Sequence, residues 1–150
     1  MLTFEYSVKN PDFPVAYASF GAMNTILEMV AVIGNESDAR SFSQSVYDLV
    51  TGIEKKFSRF DDESPVAEIN RTAAGSPVAI DGEIYMALQL CEVFREATQG
   101  YFDIGYMSGA GRKYVLDTVR HTIRFLHEDV VIDMGGFAKG YALDKVKGIL

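Results

Sequence analysis

The pattern of apolar and polar positions in the first third of the chain predicts a strand followed by a long helix. Residues 25–33, TILEMVAVI, are rich in β-branched residues and mostly apolar, which favours a buried strand. From Ser37, a candidate helix cap, apolar residues recur at spacings of three and four, which predicts an amphipathic helix to about Lys56. The recurring positions are Ala39, Phe42, Val46, Leu49, Val50, Ile53, Phe57 and Phe60.

The remaining two thirds continue the alternation of short strands and helices. Residues 57–70, FSRFDDESPVAEIN, are predicted to form a loop with a turn at Ser64-Pro65. Asp81 is predicted to cap a second helix, and Gly100 to end it in a left-handed conformation. The other predicted elements are a strand in SPVAI (76–80), a hairpin of YVLD (114–117) and TIRFL (122–126), a strand in VVID (130–133) and a helix from about Phe137.

Composition and charge limit the class of protein. A chain of 150 residues, 48% apolar and 23% charged, can form one globular domain with a core. No apolar run approaches the roughly 18 residues of a membrane span. No signal peptide or lipobox is visible, so the sequence by itself predicts a cytoplasmic protein, while export stays open as an alternative. The single cysteine, Cys91, excludes an internal disulfide and a cysteine-based zinc site. The net charge of −7 argues against nucleic-acid binding.

The stretch IDMGGFAKGYALDK, residues 132–145, has the features of an anion-binding turn. Asp133 ends an apolar strand, two glycines follow, and Lys139 lies in the helix that begins there. Bare N–H groups at a helix start attract anions, and glycine lets a ligand approach the backbone. The stretch is not a P-loop, because Lys139 precedes Gly140 and no Gly-Lys-Ser/Thr order is present. Taken alone, it is better explained as a strand-to-helix turn with glycines for packing.

Other candidate residues also have structural explanations when taken singly. Met23 and Phe60 can be core residues, and Asp103 can be a turn carboxylate. Cys91 lies on the apolar face of a predicted helix, as an inert buried thiol would.

The order of five motifs resembles the FAD:protein FMN transferase family, the ApbE-like flavin transferases. They are AMNT (22–25), FSRFDDESPVAEIN (57–70), TQGYFDIG (98–105), the YVLD–TIRFL hairpin and IDMGGFAKGYALD (132–144). The resemblance runs from about residue 20 to the end. It implies an α+β, ApbE-like (T-fold-like) domain, with a mixed sheet and packed helices. Residues 1–150 would be its N-terminal, incomplete part.

The resemblance implies residues that bind FAD. Met23 matches a methionine near the flavin, and Phe60 falls where the family commonly has a tyrosine stacked on the isoalloxazine ring. The segment Tyr101, Phe102 and Asp103 matches contacts to the adenosine part.

Further matched positions lie in the last motif. Asp133 and Lys139 match other FAD contacts, and the main-chain carbonyl of Gly136 matches a ligand of Mg²⁺, which prefers hard oxygen donors. No catalytic residue or general base is identified. The family's later metal-binding aspartate and threonine have no counterpart in this sequence. We therefore expect residues 1–150 alone to be inactive.

The function implied by the resemblance is Mg²⁺-dependent transfer of FMN from FAD to a threonine or serine of an acceptor flavoprotein, with release of AMP. Two alternatives stay open: a Mg²⁺-dependent FAD pyrophosphatase that gives FMN and AMP, and a non-catalytic flavin-binding module. The expected partners are FAD and the acceptor protein. The apolar face of the last helix predicts a further partner, which would be the rest of a longer chain or a second copy of this one.

Overall fold

A computed structural model describes residues 1–106 and 111–149 and confirms the α+β class. The strands pair only in antiparallel fashion among these residues. The elements are β1 (Thr3–Ser7), β2 (Val15–Ala22), β3 (Thr25–Val32), α1 (Glu36–Phe57), α2 (Pro65–Thr72), β4 (Val78–Ala79), α3 (Gly82–Ala97), β5 (Gly105–Tyr106), β6 (Tyr114–Asp117), β7 (Thr122–Phe125), β8 (Val131–Ile132) and α4 (Gly135–Lys147).

The chain divides into two compact units. The first consists of Met1–Glu54 and Ala138–Leu150, and contains the sheet β1-β2-β3. The second consists of Lys55–Phe137, and contains the sheets β4-β7-β6 and β5-β8. Within the described part of the chain, no helix is long and apolar enough to cross a membrane.

The first unit has two strands that the sequence did not predict, β1 and β2. Alternate residues of β2 are buried, namely Ala16, Ala18, Phe20 and Ala22. Small alanines give a weak hydrophobic signal, which explains why the period-two pattern was missed. The ring of Phe20 packs edge-on against Tyr47 of α1, with centroids 5.1 Å apart.

Strand β3 forms where it was predicted, but the expectation that it is buried was wrong. Among residues 1–106 and 111–149 it pairs only with β2, as an edge strand does. Ile26, Val30 and Val32 on one of its faces are exposed. An apolar run predicts a strand, whereas burial depends on whether another layer covers both faces.

The long helix α1 confirms the predicted apolar stripe. Its cap is Asn35 rather than Ser37, because Asn35 Oδ1 accepts a hydrogen bond from the Asp38 N–H at 2.9 Å. Five of the predicted positions are buried: Ala39, Val46, Val50, Ile53 and Phe57. Phe60 lies beyond the end of the helix.

The predicted loop 57–70 was wrong in its second half, which forms α2. Ser64 caps this helix by accepting a hydrogen bond from the Ala67 N–H at 3.0 Å, and Pro65 occupies the first turn. Proline is favoured there, because that N–H has no partner within a helix. Val66, Ala67 and Ile69 are buried. Two turns are too few for a helical period to be recognised in the sequence.

Helix α3 and the β6–β7 hairpin confirm their predictions. Asp81 Oδ1 caps α3 through the Ile84 N–H at 2.8 Å. Gly100 is left-handed as predicted, with a φ of 86°, but the helix ends earlier, at Ala97, and Gln99 with a φ of 54° is the first left-handed residue after it. Cys91 is buried, and this burial raises the pKa of its thiol to about 12. The thiolate is therefore almost unpopulated at neutral pH, as expected of an inert thiol.

Candidate functional site

The turn from β8 to α4 is held by both oxygens of the Asp133 carboxylate. Oδ1 accepts a hydrogen bond from the Gly135 N–H, and Oδ2 accepts one from Arg59 Nε, each at 2.8 Å. The Asp133 N–H donates to the Ile104 carbonyl at 2.8 Å. A Cβ at Gly135 would lie 3.0 Å from Asp133 Oδ1, so glycine allows this close approach. Asp133 thus organises the start of α4.

Helix α2 fixes the strand that leads into this turn. The Asn70 side chain accepts a hydrogen bond from the Ile132 N–H at 2.9 Å and donates to the Ile132 carbonyl at 3.0 Å. Ser64, at the other end of the motif, caps α2 and donates to the Ser58 carbonyl. The spacing of Ser64 and Asn70 is therefore that of one short helix braced against β8.

A cation and two aromatic rings lie together beside Asp133. The Arg59 guanidinium carbon is 4.1 Å from the Phe60 ring centroid and 5.5 Å from that of Tyr106 on β5. Phe60 is 78% exposed, so its assignment to the core was wrong. It falls outside the core because α1 ends at Phe57, before the apolar spacing could carry the ring inward. The exposed ring backed by a guanidinium offers a planar surface for stacking.

Phe102 lies next to the first turn of α4. A Cβ placed on Gly136 would be 3.8 Å from Phe102 Cε2, and the Phe102 ring packs edge-on against Phe94 at 6.0 Å. The structure therefore brings Phe102 and Gly136 together. Tyr101, by contrast, is 96% exposed.

Asp103 forms an ion pair that the sequence did not reveal. Its Oδ2 accepts a hydrogen bond from Lys113 Nζ, and its Oδ1 accepts one from the Gly105 N–H, both at 2.9 Å. The second contact is that of a turn carboxylate. Asp103 and Lys113 also line a cavity of about 370 Å³, within the size range of small-molecule sites. Its other lining residues are Arg95, Glu96, Gln99, Gly100 and Gly111.

The metal-ligand prediction concerns a main-chain oxygen of α4. Gly136 is exposed and lies in the first turn of the helix. A carbonyl has two lone pairs, so an oxygen that accepts a helical hydrogen bond can still bind a cation. Across the described residues, no group of three or more His, Cys, Asp or Glu side chains could hold a metal ion. The part of the chain that the structure describes thus provides a suitable oxygen donor but no preformed carboxylate cage.

Met23 and Lys139 belong to the first unit. Met23 and Asn24 have φ values of 51° and 56° and form the two-residue turn between β2 and β3. The Met23 N–H donates to Glu54 Oε1 at 2.5 Å. A bulky residue at positive φ is uncommon, and such strain is found most often at functional sites. Lys139 is an exposed residue of α4.

Replacing Met23 by asparagine is expected to raise stability and weaken FAD binding. Asparagine tolerates the left-handed conformation that costs other residues about 1–2 kcal/mol, so the free energy of unfolding should rise. The substitution also removes the thioether that the family resemblance implies near the flavin, so FAD affinity should fall. Urea denaturation and FAD titration measure the two effects. Asn24→Gly is the matched control, which should stabilise the same turn without loss of affinity. A Met23→Asn protein that binds FAD as well as wild type would show that Met23 does not contact the flavin.

The ApbE family model matches residues 23–109, more than half of the chain. The chain belongs to the ApbE family. The resemblance of its motifs to this family is thereby confirmed.

Solved ApbE structures share the fold. The ApbE protein from Thermotoga maritima aligns with a TM-score of 0.78 and 23% identity, covering 97% of this chain and 52% of that one. The flavin transferase ApbE from Vibrio cholerae aligns with a TM-score of 0.73 and 13% identity, covering 91% and 53%. The chain therefore spans about half the length of these ApbE proteins. A search of curated proteins found no match.

The structure brings some of the motif residues together and places beside them residues that the motifs did not indicate. The structure places Phe102, Asp133 and Gly136 around the start of α4, and Phe60 beside Arg59. Arg59 and Lys113 were not predicted, although each pairs with a predicted aspartate. The available signal for Arg59 was its position directly before Phe60 in a quoted motif. The roles of all these residues in FAD binding stay predictions.

Proposed function

We propose that this ApbE-family chain takes part in Mg²⁺-dependent transfer of FMN from FAD to a threonine or serine of an acceptor protein. The observation that carries the proposal is the exposed Phe60 ring, backed by an Arg59 guanidinium paired to Asp133 at the start of α4. An exposed aromatic ring next to a cation suits a ligand with a flat ring system and phosphates.

Each part of FAD has a proposed position in the chain. The isoalloxazine ring would stack on the exposed face of Phe60. Met23, which the family resemblance matches to a methionine near the flavin, is a separate proposed contact. The adenosine part would lie against Tyr101, Phe102 and Asp103, and the cavity beside Asp103 supports this position. Asp133 and Lys139 complete the proposed contacts.

The Gly136 carbonyl would hold Mg²⁺, because this cation favours oxygen ligands. When bound, Mg²⁺ would offset the charge that develops on the leaving AMP. The acceptor hydroxyl oxygen would form a bond to the FMN phosphorus, and the phosphorus–oxygen bond to the AMP phosphate would break. The hydroxyl proton would pass to the solvent. Besides this proposed contact, Asp133 would hold Arg59 and the glycine turn in place.

Incubation with FAD, MgCl₂ and a candidate acceptor protein tests the reaction, and it uses a protein in which this chain is part of a complete ApbE domain, because residues 1–150 alone are expected to be inactive. The expected result is an acceptor band that is fluorescent in a denaturing gel, together with AMP in equal amount. AMP release without acceptor labelling would indicate the pyrophosphatase instead. FAD binding without AMP release would indicate the non-catalytic flavin-binding module.

Replacing Phe60 by alanine is expected to weaken FAD binding by about tenfold, because base stacking on an aromatic side chain contributes about 1–3 kcal/mol. The melting temperature should hardly change, since the ring is exposed and its removal leaves no cavity in the core. Phe60→Tyr is the control, because a phenol can stack equally well. A lowered melting temperature with unchanged FAD affinity would exclude the stacking role.

A further inference from the structure

Arg59 donates a hydrogen bond to a described residue through one of its three guanidinium nitrogens, Nε. Nε donates to Asp133 Oδ2 at 2.8 Å, and the guanidinium carbon lies over the Phe60 ring, 4.1 Å from its centroid. Among residues 1–106 and 111–149, neither terminal nitrogen of Arg59 has a hydrogen-bond acceptor. Its side chain is only 28% exposed. A cation that is partly removed from water, with terminal N–H groups still available, is suited to bind an anion.

The surroundings of Arg59 fix the direction of those terminal groups. Asp133 holds Nε, and the other Asp133 oxygen is occupied by the Gly135 N–H. Phe60 and Tyr106 limit rotation of the plane, since both ring centroids lie within 5.5 Å of the guanidinium carbon. A planar fork that is fixed before binding loses little conformational entropy when it binds a phosphate in two-point fashion.

We propose that Arg59 is a substrate-binding residue that recognises a phosphate group of the dinucleotide through its terminal N–H groups. This inference rests on the proposed function, because it takes FAD as the substrate. The same guanidinium backs the Phe60 ring, so one residue would connect recognition of the ring with recognition of the phosphate. Arg59 has no assigned part in bond making or breaking.

Two simpler roles for Arg59 make different predictions. If Arg59 only supports the Phe60 ring, its loss should weaken binding of any isoalloxazine to the same extent. If Arg59 only braces Asp133, its loss should lower stability in the absence of ligand. Riboflavin distinguishes the proposed role from the first, because it has the same ring system as FAD and no phosphate. The melting temperature of the ligand-free variant distinguishes it from the second, because the proposed role predicts no large change.

The experiment measures dissociation constants of FAD and riboflavin by flavin fluorescence for wild type, R59Q and R59K. We expect R59Q to weaken FAD binding about 10- to 100-fold, the range for losing charge-assisted hydrogen bonds, and to leave riboflavin binding unchanged. R59K should give an intermediate loss, because an ammonium keeps the charge but not the planar fork. The salt dependence of FAD binding should be smaller in R59Q than in wild type. R124Q, at an exposed arginine of β7, is the matched control and should behave like wild type.

Each other outcome has a defined meaning. Equal losses of FAD and riboflavin affinity, or no loss of either, would overturn the role of Arg59 and leave the proposed function standing. A wild-type protein that binds neither ligand would overturn the proposed function, and this inference with it. Should R59Q fail to fold, R59K decides, since its ammonium can still pair with Asp133. A loss selective for FAD in R59K supports the proposal, and equal effects on both ligands overturn it.

Discussion

Asp133→Ala is expected to weaken FAD binding by about 10- to 100-fold, which corresponds to about 1–3 kcal/mol. The carboxylate accepts hydrogen bonds from Arg59 Nε and from the Gly135 N–H, each at 2.8 Å. Alanine would leave both donors without this partner, so the guanidinium and the turn would lose their fixed positions together. Titration of flavin fluorescence with the purified variant measures the effect.

The control for this prediction is Asp133→Asn, whose amide oxygen can still accept from Gly135 while the negative charge beside Arg59 is removed. It should fall between alanine and wild type. Asp144→Ala, which removes an exposed carboxylate paired with Lys147, should bind FAD normally. Indistinguishable affinities for wild type and Asp133→Ala would remove Asp133 from the site.

Asn70→Ala is expected to give the largest loss of stability among the substitutions considered, about 2–4 kcal/mol. The Asn70 amide makes two hydrogen bonds with the N–H and carbonyl of Ile132, which is buried. Alanine would leave both backbone groups without these partners, and an unsatisfied buried polar group costs more than a hydrogen bond gains. The free energy of unfolding, from urea denaturation followed by circular dichroism, checks this value.

Asn70→Asp refines this test, because a carboxylate can accept from the Ile132 N–H but cannot donate to the Ile132 carbonyl. Protonation restores a donor, so the stability of this variant relative to wild type should rise as the pH falls through the pKa of the new carboxyl group. An Asn70→Ala protein with an unchanged free energy of unfolding would show that the amide does not brace β8.

The second half of the predicted loop at 57–70 forms helix α2, which shows the limit of local sequence signals. Ser64 and Pro65 were recognised as a turn, and both are also residues that begin a helix. Whether the chain continues as a helix depends on burial of Val66, Ala67 and Ile69, which other elements provide. The sequence contained the start signal, but the packing that stabilises two helical turns is not a local property.

The candidate site shows the same difference between what local sequence signals indicate and what distant contacts decide. The motif order identified the ApbE family, which the family match confirms, and it selected Asp133, Phe102 and Gly136 as site residues. It did not identify Arg59, because the partner of Arg59 is 74 residues away along the chain. The spacing of residues within a motif cannot predict an ion pair between two segments that are far apart in the sequence.

The sequence by itself determined the elements that rest on local periodicity and caps: helix α1 with its apolar stripe, helix α3 between Asp81 and Gly100, and the β6–β7 hairpin. Tertiary structure alone decided that β3 is an exposed edge strand, that Phe60 faces solvent, and that Arg59 pairs with Asp133. The physical reason is the range of the interactions. Caps and helical periods act within a few residues, whereas burial and ion pairing depend on which distant segments come into contact.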